Sequence, residues 1–129
     1  MKTKLAVLDS GEGNDLQTIL DACSTGQLNA IVVIVVSEAM ESRALDRAEI
    51  AGVTAIYHPR EWYLETGRSH DDYDASLADL IDPYQPDWIV LADWHETPGA
   101  AFMERYPNHV IDLHLNPGEV IDVLRDIAR

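Results

Sequence analysis

Short aliphatic runs alternate with amphipathic stretches along this chain, and the alternation predicts strands and helices in turn. Residues 5–8, Leu-Ala-Val-Leu, are the first aliphatic run. Ser10, Gly11, Glu12, Gly13, Asn14 and Asp15 follow it, placing glycines and capping side chains just ahead of Leu16, Ile19, Leu20 and Cys23 at helical spacing. The reading is strand, tight loop, helix. The β-branched run 30–36 has the pattern of a strand covered on both faces, hence of a parallel sheet, and belongs near its centre. Ala44, Leu45, Ala48 and Ala51 recur every three or four residues, with Gly52 at the C-cap, which predicts a second helix over 41–51. Residues 53–57 read as a third strand stopped by Pro59, and 60–69 as a loop with one helical turn at most.

Tyr73, Leu77, Leu80 and Ile81 share a face over 70–81, a third helix that ends ahead of Pro83 and Pro86. Residues 87–92 make a fourth strand, a short segment with Pro98, Ala101, Phe102 and Met103 crosses back, and 109–114 make a fifth strand. Residues 118–129 carry Val120, Ile121, Leu124, Ile127 and Ala128 and read as a short amphipathic helix. Five strands alternating with helices specify an α/β, three-layer αβα sandwich: a Rossmann-like, mostly parallel sheet of about five strands with right-handed crossovers. In such sheets ligands bind at the carboxyl ends of strands, near the point where strand order reverses. Residues 10–15, 93–98 and 112–118 are therefore the candidate segments.

Composition narrows the function classes. The 129 residues include 23 Asp plus Glu against 9 Lys plus Arg, a formal charge of −14, and 47% are hydrophobic. One globular domain over 1–129 with a single core is expected, and the apolar fraction is too high for a disordered chain. The acidic balance repels nucleic-acid phosphates and anionic headgroups, so neither nucleic acid nor membrane is expected as a partner. The first aliphatic run is too short for a signal peptide, and nowhere do 18 apolar residues follow one another. Cys23 is the single cysteine, so no intramolecular disulfide forms, and a reducing, cytoplasmic setting is expected.

Two segments carry candidate chemistry. Gly11 and Gly13 allow close backbone approach, and the helix opening near Asn14 aims unpaired N–H groups at whatever sits there, which suits a phosphate. Asn14 or Asp15 acting simply as a helix cap is the alternative, and Glu12 and Asp15 put carboxylates beside the same donors. On the fifth strand, alternation would put Asp112 and His114 on one face, as a general base, oxyanion stabiliser or metal ligand, or as a purely structural pair. His95, Glu96, His109, Asp112 and His114 match no metal-site spacing, so no metal is expected. Cys23 reads as core filler, and Trp88 and Trp94 as packing residues.

Taken in register, these segments resemble the N-terminal part of the folate-dependent glycinamide ribonucleotide formyltransferases. The likeness spans about residues 4–118 and lies in 10–17 with 19–23, in 43–52, in 85–92, and in Asp112-Leu113-His114. The resemblance implies the formyltransferase N-terminal fold and formyl transfer from 10-formyltetrahydrofolate to the amine of glycinamide ribonucleotide, a step of purine biosynthesis. It implies phosphate binding by Gly11, Gly13, Asn14 and Asp15, a folate border formed by Leu91, Ala92, Asp93, Trp94, His95, Glu96 and Thr97, and catalysis by His114 with Asp112. Asp112 stands where the family has Asn, an acceptor-only carboxylate in place of an amide donor. Glu12 and Asp15 replace neutral residues, and 114–118 departs from the family's His-Pro-x-Leu-Leu-Pro. The resemblance places the family's second catalytic residue, an Asp, in a C-terminal part that these 129 residues do not include, so an incomplete catalytic set is expected. The alternative is a non-catalytic ligand-binding or assembly module on the same fold, with apolar surface near the fifth strand covered in a homodimer.

Overall fold

A computed structural model describes residues 1–116 and 118–128. The chain order is β1 (Thr3–Asp9), α1 (Asn14–Thr25), β2 (Ala30–Ser37), α2 (Arg43–Ile50), β3 (Thr54–Tyr57), α3 (Arg60–Glu65), α4 (His70–Ile81), β4 (Trp88–Asp93), α5 (Ala100–Met103), β5 (Val110–Asp112) and α6 (Val120–Arg125). All strand pairs are parallel, in the order β3-β2-β1-β4-β5. From β1 the chain winds outward first to β2 and β3, then to β4 and β5. The reversal leaves a crevice between the carboxyl ends of β1 and β4.

Period-two alternation divides the interior into two cores. Leu5 and Val7 of β1 with Val90 and Ala92 of β4 pack under α1, α2 and α6, against Leu16, Ile19, Ala44 and Leu124. Ala6, Leu8, Ile89 and Leu91 point the other way, onto Tyr73, Leu77, Ile81 and Phe102 of α4 and α5. The central position falls to β1, with β2 beside it, and β2 is buried along most of its length.

Three elements differ from the sequence pattern. Residues 60–65 form a helix rather than a loop, because Pro59 ends the preceding extended segment and Arg60 is pinned from inside the fold. The fifth strand stops at Asp112, and Leu113–Leu115 turn into a 3₁₀ helix. Asp112 causes the stop: its Oδ1 accepts the His114 backbone N–H at 2.9 Å, an Asx turn that draws the chain out of the sheet. The last helix occupies 120–125, shorter than its apolar pattern, and Pro117 and Arg129 lie outside the described residues. By contrast, the third predicted helix, 70–81, is matched at both ends. Ser69 and Asp72 form a reciprocal capping box at its start, and Pro83 lies just past its end.

Candidate active site

The loop after β1 is held by its neighbours before any ligand arrives. Gly13 is the N-cap of α1, at φ +77°, and no side chain caps that helix, so neither Asn14 nor Asp15 takes the capping role. The first amides of α1 therefore have no side-chain acceptor. Ser42, the N-cap of α2, donates to the Gly11 carbonyl at 2.9 Å and accepts from the Ala44 N–H. Arg47 of α2 reaches across as well: its Nε donates to the Glu12 carbonyl at 2.8 Å and its Nη2 to Asn14 Oδ1 at 3.3 Å. Ser42 and Arg47 thus hold the carbonyls of Gly11 and Glu12 and the side chain of Asn14.

At the reversal point the register between β1 and β4 slips, so that Leu8 pairs with Leu91 but Asp9 pairs with Asp93. The slip sets two carboxylates side by side. Asp93 is exposed and lies against Gly11, where an added methyl would collide with its carboxylate. Asp9 is 1% exposed, and its Oδ1 accepts the Gly11 N–H at 3.0 Å. Burial, followed by the charges of Asp93 and Asp15, pushes the Asp9 carboxyl up from the usual 3.8 to about 6, against the lowering effect of the Gly11 hydrogen bond and Arg47.

A cleft of about 330 Å³ opens between these parts, lined by Asp9, Glu12, Gly13, Asn14, Asp15, Ala92, Asp93 and His114. The 3₁₀ turn carries His114 to the cleft, where it is exposed, while Asp112 is not among the lining residues because its carboxylate is engaged by the backbone. The folate-border segment divides. Ala92 and Asp93 face the cleft, Leu91 and Trp94 are buried in the core under α4 and α5, and Thr97 is exposed. His95 and Glu96 instead line a second recess of about 530 Å³, together with Ser10, Glu38, Tyr57 and Arg60. Among the described residues no group of three or more His, Cys, Asp or Glu side chains is arranged to hold a metal ion. Among the described residues no helix is long and apolar enough to cross a membrane.

Sequence patterning did not single out Asp9, Arg47 or Arg60. Asp9 had a usable signal, being the first charged residue after an uninterrupted aliphatic strand. Arg47 and Arg60 had none, because their roles depend on contacts 22 to 35 residues away.

The formyl transferase family model matches residues 3–116. This chain belongs to the formyl transferase family. Its relatives include the phosphoribosylglycinamide formyltransferase of Escherichia coli (strain K12), 33% identical over 110 residues, covering 85% of this chain and 50% of the relative. The same-named protein of Schizosaccharomyces pombe is 39% identical over 101 residues, covering 73% of this chain and 48% of the relative. Among solved structures, glycinamide ribonucleotide transformylase 1 from Symbiobacterium toebii superposes with a TM-score of 0.80 at 31% identity, covering 85% of this chain and 50% of that one. The five-stranded parallel sheet is thus the formyl transferase fold. The chain spans about half the length of the curated relatives it matches.

Electrostatics set a condition on any anion that enters this cleft. A carboxylate 4 Å from an anionic charge repels it by about 4 kcal/mol at an effective dielectric of 20. The positive end of a helix returns at most about 2 kcal/mol. Repulsion dominates unless some of the four lining carboxylates are neutralised. The buried setting of Asp9 favours its neutral form.

That preference has a measurable effect on stability. The folded chain keeps the Asp9 proton up to about pH 6, whereas the unfolded chain releases it near 3.8, so stability falls as pH rises between those values and is level above them. Asp9→Asn removes this slope and is expected to be about 3 kcal/mol more stable than the native chain above pH 7. Urea unfolding at pH 4, 5, 6 and 7.5 checks it, and parallel profiles for the two proteins would assign the slope elsewhere.

Proposed function

We propose that this chain carries the phosphate-binding and oxyanion-stabilising part of a formyl-transfer site. The reaction would be formyl transfer from 10-formyltetrahydrofolate to the amine of glycinamide ribonucleotide. The observation that carries the reading is the single cleft in which the glycine loop, the end of β4 and His114 meet. Under this reading the amides of Gly13, Asn14 and Asp15 bind the ribonucleotide phosphate. Reduced folate lies along the segment after β4, beside Ala92 and Asp93, and His95 and Glu96 mark the far limit of that border.

The substrate amine attacks the formyl carbonyl carbon, and the carbonyl oxygen becomes an oxyanion as the C–O double bond opens. A ring N–H of His114 donates to that oxygen; water carries the proton lost by the attacking amine to the folate nitrogen, which leaves as a neutral amine as the oxyanion collapses to a carbonyl and its bond to the formyl carbon breaks. Asp112 acts by fixing the backbone of His114 rather than by touching the reacting atoms. His114→Ala is expected to lower kcat for formyl transfer at least 100-fold with purified protein, in keeping with the loss of one oxyanion donor. Transfer at an undiminished rate would remove His114 from the mechanism.

A second reading, a non-catalytic ligand-binding or assembly module, is favoured by one observation: four carboxylates line the cleft. The same protein with no transfer activity, yet saturable binding of a ribonucleotide phosphate, would support it. A cytoplasmic location and a homodimer complete the proposal. The first rests on the single cysteine and the purine-biosynthetic relatives. The second rests on the half-buried Val110 and Ile111 of edge strand β5 beside the exposed Leu115, and light scattering tests it.

A further inference from the structure

Asp9 ends the central strand, is 1% exposed, and lines the cleft that the proposed function assigns to the ligand phosphate. Its Oδ1 is taken by the Gly11 N–H, and its Oδ2 has no hydrogen-bond partner among the described residues. The groups facing it come from every neighbouring element: Asp93 of β4, Glu12 of the loop, Asp15 of α1, Arg47 of α2 and His114 of the 3₁₀ turn. Four carboxylates thus surround one imidazole and one guanidinium already bonded to the loop.

We propose that Asp9 determines the charge of the ligand this cleft accepts, by binding an anion only in its protonated form. A neutral carboxyl keeps its C=O oxygen on Gly11 and turns its Oδ2–H toward the cleft as a donor, whereas the carboxylate has acceptors alone and adds a fourth negative charge. The proton therefore reverses the hydrogen-bonding character of the cleft floor as well as its charge. The placement of the residue supports this: an Asp at the carboxyl end of a central strand, beside a second Asp brought level by a register slip, cannot escape into solvent as Glu12 does. The raised titration range agrees with it and sets the pH window near 6. Asp9→Asn mimics the protonated form permanently, with an amide N–H where the acid carries its proton.

This inference rests on the phosphate reading of the cleft, and the test separates the two. Sulfate is the probe, because it stays a dianion across the range while a phosphate monoester itself titrates near pH 6. Binding is followed by amide chemical shifts of Gly13 and Asn14 at pH 5.0 and 7.5. The native chain is expected to lose at least tenfold in affinity over that interval, and Asp9→Asn to change less than threefold. His114→Gln is expected to keep most of the native fall, which distinguishes Asp9 from the imidazole. If Asp9→Asn folds poorly, Asp9→Ser, also a neutral donor, replaces it in the comparison. A native chain that binds sulfate equally at both values, or an Asp9→Asn variant that weakens as the native chain does, overturns the role of Asp9 and leaves the phosphate reading standing. Failure of both proteins to bind sulfate at any pH overturns the phosphate reading and this inference together.

Discussion

Arg60→Met is expected to destabilise the fold by about 3–5 kcal/mol, the cost of leaving buried charges without their partner. Arg60 is 8% exposed although it opens a short surface helix. Its Nε donates to Glu38 Oε1 at 2.7 Å, and its Nη1 lies 3.8 Å from Asp74 Oδ1 and 3.6 Å from Glu96 Oε2. The guanidinium also sits over the Tyr73 ring, 4.4 Å from its centre. Methionine keeps the length and the apolar stem but strands the nearly buried carboxylates of Glu38 and Asp74. Glu96, more than half exposed, gains much less from the pair, so Glu96→Gln is expected to cost under about 1 kcal/mol. Replacing the group as a whole, with Arg60→Met, Glu38→Met and Asp74→Leu together, recovers most of the loss, because the desolvation of the charges disappears with them. Urea unfolding of the four proteins checks the series. An Arg60→Met variant within 1 kcal/mol of the native chain would show that Glu38 and Asp74 find other partners.

The second large effect falls on the glycine loop. Gly13 has φ +77°, and a methyl there would lie 2.9 Å from the Ala44 Cα and 2.9 Å from Arg47 Cδ. The left-handed backbone costs a residue with Cβ roughly 1–2 kcal/mol. The Ala44 contact adds to that because backbone of α2 cannot swing aside as a side chain can. Gly13→Ala is therefore expected to lose about 2–4 kcal/mol, combining that strain with overpacking. It also pushes Arg47 off the Glu12 carbonyl, so anion binding in the cleft should be lost even where the chain remains folded. Gly52 is the internal control, since its φ is +75° with nothing within 4 Å of an added methyl. Gly52→Ala isolates the backbone cost at about 1–2 kcal/mol. Equal losses at the two positions would mean that α2 does not brace the loop.

How much of this was legible in the sequence depends on the range of the interactions involved. The order of elements, the parallel sheet and the extent of 70–81 follow from periodicity and local caps, which act over three or four residues. The end of the fifth strand did not, because alternation cannot see that Asp112 bonds its own chain two residues on and turns Leu113–Leu115 out of the sheet. That one hydrogen bond separates Asp112 from His114 in role: the imidazole reaches the cleft and the carboxylate does not. The helix at Arg60–Glu65 was hidden for a related reason, since its apolar spacing is poor and its anchor is a buried ion pair with β2 and α4. Each of the three segments named by the topology rule contributes at least one residue to the lining of the cleft. Their division into two recesses, with Asp93 in one and His95 and Glu96 in the other, depends on side-chain direction around the β4 register slip.

The claim beneath the functional reading is that the glycine loop and His114 act on one ligand. Titration of ribose 5-phosphate into the labelled chain at pH 5.5, followed by two-dimensional NMR, tests it most directly. The account predicts that the amides of Gly13, Asn14 and Asp15 and the ring protons of His114 shift together along one saturation curve. Shifts confined to Arg60 and its neighbours, or a His114 ring that stays still while the loop responds, would contradict it.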